Sequence, residues 1–125
     1  MRTISHPDRS ALRLDAVLAA LSDPVRRSIV SRLAERADGH SCQTFELPVA
    51  KSTATHHFRV LRESGVIRQE YHGTSIMNSL RAGDLDDRFP GLLSAVLAAQ
   101  RAESAADRRC DGAAERATPP SADPA

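Results

Sequence analysis

Between Lys51 and Thr74 the chain gathers side chains suited to hydrogen-bonding a polyanion and the edges of bases. On a helix of 3.6 residues per turn, Ser52, Thr55, His56 and Arg59 fall along one side, and Ala54, Phe58 and Leu61 along the other. Hydroxyls, imidazole and guanidinium on one face suit base edges and phosphates in a DNA major groove. The opposite stripe has the apolar residues needed for packing. Lys51 at the start of the segment and Arg62 near its end add positive charge, and Arg68 and the group His72, Gly73 and Thr74 follow within a few residues. The chemistry this implies is recognition of double-stranded DNA.

The formal net charge of +1 says little about such a role until the charges are placed. From Lys51 to Arg81 the basic residues are Lys51, Arg59, Arg62, Arg68 and Arg81, against Glu63 and Glu70, and His56, His57 and His72 lie in the same stretch. Local excess matters more than the sum, because phosphate contacts respond to the potential at the contacting face. Bond-making chemistry has no comparable support. Cys42 with His40, or the adjacent His56 and His57, suggest it by residue type alone, and no Gly-rich phosphate loop, H-E-x-x-H or G-x-S-x-G pattern occurs. The chain is therefore not expected to be an enzyme, and no cofactor is expected. The two adjacent histidines point about 100° apart on a helix. His56 joins the polar face, whereas His57 sits beside the core stripe and reads as a packing residue with one ring nitrogen satisfied.

A reading face needs a frame. Residues 1–9 are polar and contain His6-Pro7, which predicts an N-terminal arm. Leu12, Leu14, Val17, Leu18 and Leu21 recur at helical spacing up to the Ser22-Asp23-Pro24 break. Asp23 then predicts an N-cap with proline at the first helical position, and Val25, Ile29, Val30 and Leu33 continue the stripe to about Asp38-Gly39. A short third helix is expected from about Ser41, with Cys42 and Phe45 inward, ending near Leu47-Pro48. The polar-faced helix comes next, capped by Ser52 or a neighbour and closed by Gly65 in the left-handed conformation. Val66–Tyr71 and Thr74–Leu80 predict a β-hairpin turning at His72-Gly73. A last helix follows Phe89-Pro90 and carries Leu92, Leu93, Val96 and Leu97 to about Ala106. From Asp107 the composition shifts to Asp, Arg, Gly, Ala and Pro, so 107–125 is expected to be a disordered tail after a domain spanning 10–106. The expected class is mainly α with a small β-hairpin.

That order of elements is the order of a winged helix-turn-helix domain. Two stretches carry a closer resemblance: Leu21-Ser22-Asp23-Pro24-Val25-Arg26-Arg27 with Ile29, Val30 and Leu33, and Ser52 to Ile67. Both resemble the arsenic-repressor-type (ArsR/SmtB) regulators, over about residues 10–100. The resemblance implies a bacterial, homodimeric transcriptional regulator that occupies operator DNA, usually as a repressor, and leaves it when an inducer binds. Carried over by position, it implies major-groove contacts from Lys51, Ser52, Thr55, His56 and Arg59, with the wing bringing Arg68, His72, Gly73 and Thr74 to the backbone or minor groove.

Members that sense metals carry a Cys-x-Cys pair on the third helix or histidine and carboxylate ligands on the last. Here the first pair reads Ser41 and Gln43, and no histidine follows His72, so the ligands for a zinc-like or thiophilic ion are missing and no metal site is expected. A switch through Cys42 and Cys110 is the competing thiol-responsive reading, set back by their placement in a core helix and a tail. The inducer is left open, a small molecule among the options. Leu12, Val17 and Leu21 on the first helix and Leu92, Leu93, Val96 and Leu97 on the last give more apolar surface than one small core needs, which predicts a dimer interface. A winged-helix module that docks protein and not DNA is the alternative of a different class, and it would need large exposed apolar anchors. No N-terminal apolar stretch resembles a signal peptide and none is long enough to span a bilayer, so a cytoplasmic protein without a membrane role is expected.

Overall fold

The Leu21–Arg27 stretch shows how few residues set two helix ends. Asp23 accepts hydrogen bonds from the backbone amides of Val25 and Arg26 at 2.8 and 3.2 Å, and Pro24 opens α2 (Pro24–Glu35). Burial alone would raise the Asp23 carboxyl, but the amides of Arg26 and Val25, with the charge of Arg26, outweigh it and hold the group below its ordinary value. Backward along the chain, the same segment closes α1 (Leu14–Ala20). Arg26 donates from Nε to the Ala20 carbonyl at 2.7 Å and Arg27 donates to that of Leu21 at 2.9 Å. One motif thus satisfies amides at the start of one helix and carbonyls at the end of another.

The computed structural model describes residues 3–35, 40–41 and 49–117, which divide into two units, Met1–Leu93 and Ser94–Ala125. In the first, α1 and α2 are followed by the two-residue strand β1 (His40–Ser41), then α3 (Lys51–Glu63), β2 (Ile67–His72), β3 (Ser75–Leu80) and α4 (Ala82–Arg88). α2 packs against β3 and α3, and the shared core holds Val17, Ile29, Val30, Leu33, Leu61 and Ile67. α5 (Leu92–Ala117) starts at the end of this unit and supplies the described part of the second.

At the end of α3, Gly65 takes φ 87°, its amide donates to the Arg62 carbonyl at 3.0 Å and that of Val66 donates to Leu61 at 2.9 Å. This is the Schellman closure, and it turns the chain straight into β2. The sheet order is β1-β3-β2, antiparallel throughout, with His72 opposite Ser75 and Gln69 opposite Asn78.

Several expectations are corrected. The hairpin turns at Gly73-Thr74, one residue later than expected, because a two-residue loop needs a positive φ at its first position and Gly73 supplies it at 67°. Ser41, expected to start a helix, lies in β1 opposite Met77, a pairing that only the tertiary fold can dictate. The remainder of that expected helix, Cys42 and Phe45 included, lies outside the described residues. α4 was not anticipated, since Leu85 is its only buried residue and one apolar position carries no period. α5 continues past the boundary expected at Asp107, in keeping with the helix propensity of its alanines, and it carries Cys110 exposed on a helix and not in a tail. Residues 118–125 of the expected tail lie outside the described residues.

Candidate nucleic-acid interface

The division of α3 follows its period. His57, Phe58 and Leu61 are buried, whereas Lys51, Ser52, Thr53, Thr55, His56 and Arg59 are exposed. The helix starts at Lys51, which puts its cap two residues before the expected Ser52. Its N-cap is Ala50, which has no side chain to offer the first amides, and no acidic residue stands in the first turn. Thr55 donates from Oγ1 to the Lys51 carbonyl at 3.0 Å, so the hydroxyl is oriented along the helix and keeps its acceptor lone pairs.

His57 anchors the helix from behind. It is 7% exposed, and its Nδ1 lies 3.2 Å from Arg26 Nη1 on α2, so the ring accepts from the guanidinium through Nδ1 and carries its proton on Nε2. The residue expected to pack therefore ties α3 to the arginine that closes α1.

Arg62 departs from the expected site. It is turned toward the sheet, donating from Nη1 to Gln69 Oε1 at 3.1 Å, and its Nε is buried without an acceptor among the described residues. Gln69 in turn donates from Nε2 to Asn78 Oδ1 at 2.8 Å. Arg68 is exposed on β2, and His72, Gly73 and Thr74 are exposed at the hairpin tip.

The N-terminal segment, expected to be an arm, is tied down from His6 onward. Gln69 donates its backbone N–H to His6 Nε2 at 2.9 Å, Arg81 donates to the Pro7 carbonyl at 2.9 Å, and Arg88 donates to that of Leu12 at 2.7 Å. Arg81 is buried and pairs with Asp84 at 3.0 Å. Nothing in residue type alone pointed to these ties, because they depend on where β2, Arg81 and α4 come to lie against residues 6–12.

The His6 contact requires a neutral ring. Burial, followed by the charges of Arg68, Arg81 and Arg62, holds the imidazole below its ordinary value, and only a hydrogen bond at Ile4 works the other way. A folded-state pKa below the unfolded one means that the released arm binds the proton more readily. Docking of the arm should thus be fully present above the ordinary histidine range and lost as pH falls through the depressed folded value. In an NMR titration the His6 ring is expected to titrate below about 6.5, with the Gln69 amide moving in step. A His6 titrating at or above that value, or a Gln69 amide indifferent to it, would contradict the contact.

Of the residues expected at a dimer contact, Leu12, Val17 and Leu21 are 1%, 1% and 5% exposed, buried in the core of the single chain. The apolar surface of α1 is carried instead by Leu14 and Leu18, both 46% exposed and one turn apart. The reason is phase: the amphipathic stripe of α1 is continuous with Leu12 and Leu21 outside the helix, which leaves Leu14 and Leu18 on the far side. On α5, Leu92, Leu93 and Val96 are partly exposed and Leu97 is buried. Among the described residues no helix is long and apolar enough to cross a membrane.

Residues 21–70, from the end of α1 through most of β2, match the model of a helix-turn-helix domain family. Among solved structures, the chain is similar to an ArsR-like transcriptional regulator from Rhodococcus sp. RHA1, at 24% identity and a TM-score of 0.54, over 83% of this chain and 92% of that one. No curated protein matches the sequence. The fold is a winged helix-turn-helix, mainly helical, with the β2–β3 hairpin as its wing.

Proposed function

We propose that this chain is an ArsR/SmtB-type transcriptional regulator, a homodimer that occupies double-stranded operator DNA as a repressor and leaves it on a signal other than a metal. The observation that carries this reading is the exposed alignment of Ser52, Thr55, His56 and Arg59 on a helix whose opposite face is buried. The first turn of α3 supports it, since the cap residue Ala50 offers its backbone amides no side-chain hydrogen bond and such amides suit a phosphate. A protein-docking module would instead present large apolar anchors on this helix. The exposed large apolar side chains among the described residues are Leu14, Leu18 and Tyr71, none of them on α3.

The dimer contact we propose uses Leu14 and Leu18 on α1 with Leu92, Leu93 and Val96 on α5. Two copies would then present paired α3 helices to successive major grooves, about 34 Å apart. Arg59 and Lys51 hold phosphate or position, Thr55 and His56 read bases, and Arg68 with the hairpin tip lies along the backbone or minor groove. The reading against a metal signal rests on the residues at 41 and 43, serine and glutamine, and on the absence of histidine after His72.

The experiment is selection from a pool of randomised duplexes, followed by sedimentation of the free protein. An inverted repeat with half-sites one helical turn apart and a mass of two chains are expected. Recovery of no preferred sequence, or a single-chain mass at micromolar concentration, would overturn the respective part.

A further inference from the structure

The inward face of the hairpin carries a feature that packing alone does not explain. Gln69 and Asn78, 4% and 0% exposed, stand directly opposite one another on β2 and β3, where the preceding inward residue of β2 is Ile67. Two amides are buried together there against the part-buried guanidinium of Arg62, whose Nε is buried without a partner among the described residues. An apolar pair of similar volume would serve stability at least as well, because desolvating polar groups offsets much of what their hydrogen bonds return. What the amides add is direction. A hydrogen bond weakens steeply away from its preferred angle, whereas an apolar contact tolerates sliding.

We propose that Gln69 is a positioning residue that sets the angle between α3 and the wing, holding the last turn of α3 through Arg62 and the middle strand through Asn78. The side chain is suited to this because its acceptor faces the helix and its donor faces the sheet. Its backbone amide also holds His6, so three segments meet at one residue. A duplex that is read by α3 and touched by the wing at once constrains their relative placement, and a displacement of about 1 Å is enough to spoil such a fit. Arg62 accordingly acts through Gln69 and not as a phosphate contact. This inference rests on the DNA-binding reading for its consequence, though not for its geometry.

The test uses the full chain and the duplex that wild type selects, compared with a scrambled duplex. Gln69→Leu and Arg62→Met are each expected to lose about tenfold of the preference for the selected duplex, and Gln69→Leu also to lower the thermal midpoint, because it takes a donor from the buried Asn78 Oδ1. The double variant should be no worse than either single one, as for two members of one network. Gln69→Glu keeps an acceptor for Arg62, and Asn78 can rotate its amide to donate to it, so the preference should return to within about threefold. The dependence of log K on log salt should be unchanged in Arg62→Met; a slope smaller by about one would make Arg62 a phosphate contact and overturn the assignment. Full preference in Gln69→Leu would overturn it too. If that variant does not fold, Arg62→Met and Gln69→Glu decide the matter alone. If wild type selects no duplex, the DNA reading fails by itself, and residual dipolar couplings of the free protein still test the geometry. The angle between α3 and the hairpin should shift in Gln69→Leu or Arg62→Met and not in Gln69→Glu, and an unchanged angle would sink the proposal.

Discussion

Gly65→Ala is expected to destabilise the protein by about 2–4 kcal/mol, adding a left-handed-backbone cost to an overpacking cost. Gly65 holds φ 87°, which an L side chain rarely adopts, and an added Cβ would overlap Leu12 Cδ2 while coming within 3.3 Å of Leu12 Cγ and 3.6 Å of Pro7 Cγ. Leu12 is 1% exposed, and its carbonyl is held by Arg88, so neither its side chain nor its backbone has room to retreat. Leu12→Ala by itself should cost about 2–5 kcal/mol through the cavity it leaves. In the double variant the new methyl enters that space, so Gly65→Ala should add chiefly its backbone term to the cost of Leu12→Ala, and the total should fall short of additive. Chemical denaturation of the four proteins measures this. Gly65→Ala within about 0.5 kcal/mol of wild type, the range of an ordinary surface substitution, would show that the closure of α3 tolerates a side chain and that Leu12 moves freely. The position matters beyond stability, because the same glycine fixes where the reading helix stops and the wing begins.

How far the sequence discloses the fold depends on whether the signal is local. The Asp23-Pro24 start, the two faces of α3 and the Gly65 stop each rest on a cap, a period or a φ preference contained within a few residues, and each is where the sequence reading placed it to within a residue. β1 has two residues and is defined only by pairing with β3, so no local pattern could announce it. The turn shows how a small local error propagates. With the loop at His72-Gly73, Gln69 would face Ile76; with the observed loop it faces Asn78, and only then does the buried amide pair become visible. The bond from Arg62 to Gln69 is hidden for a related reason, since a basic residue at the end of a polar-faced helix looks like a surface charge until its partner strand is placed. Around α1, four leucines and a valine share the ten residues from Leu12 to Leu21, and period alone does not say which side meets the core. Leu12, Val17 and Leu21 proved inward and Leu14 and Leu18 outward, which moves the proposed dimer contact without removing it.

The double substitution Thr55→Ala with His56→Ala is expected to abolish most of the preference for the selected duplex over a scrambled one. Each base-reading contact contributes roughly 1–3 kcal/mol of discrimination, so the pair should cost between about thirtyfold and about twenty-thousandfold. The fold should be spared. Both residues are exposed on α3, alanine is the stronger helix former at each position, and the Thr55 hydroxyl's bond to the Lys51 carbonyl is a local one whose loss buries nothing unpaired. Binding to scrambled DNA should persist, because the phosphate term is supplied by other residues. Lys51→Ala gives the opposite signature: a similar loss on selected and scrambled duplexes, with the salt slope reduced by about one. Competition binding at two or more salt concentrations separates the two patterns. Should the double variant keep its full preference with wild-type affinity, α3 does not read the bases through this face, and the exposed alignment of Thr55 and His56 would be a solvated helix surface.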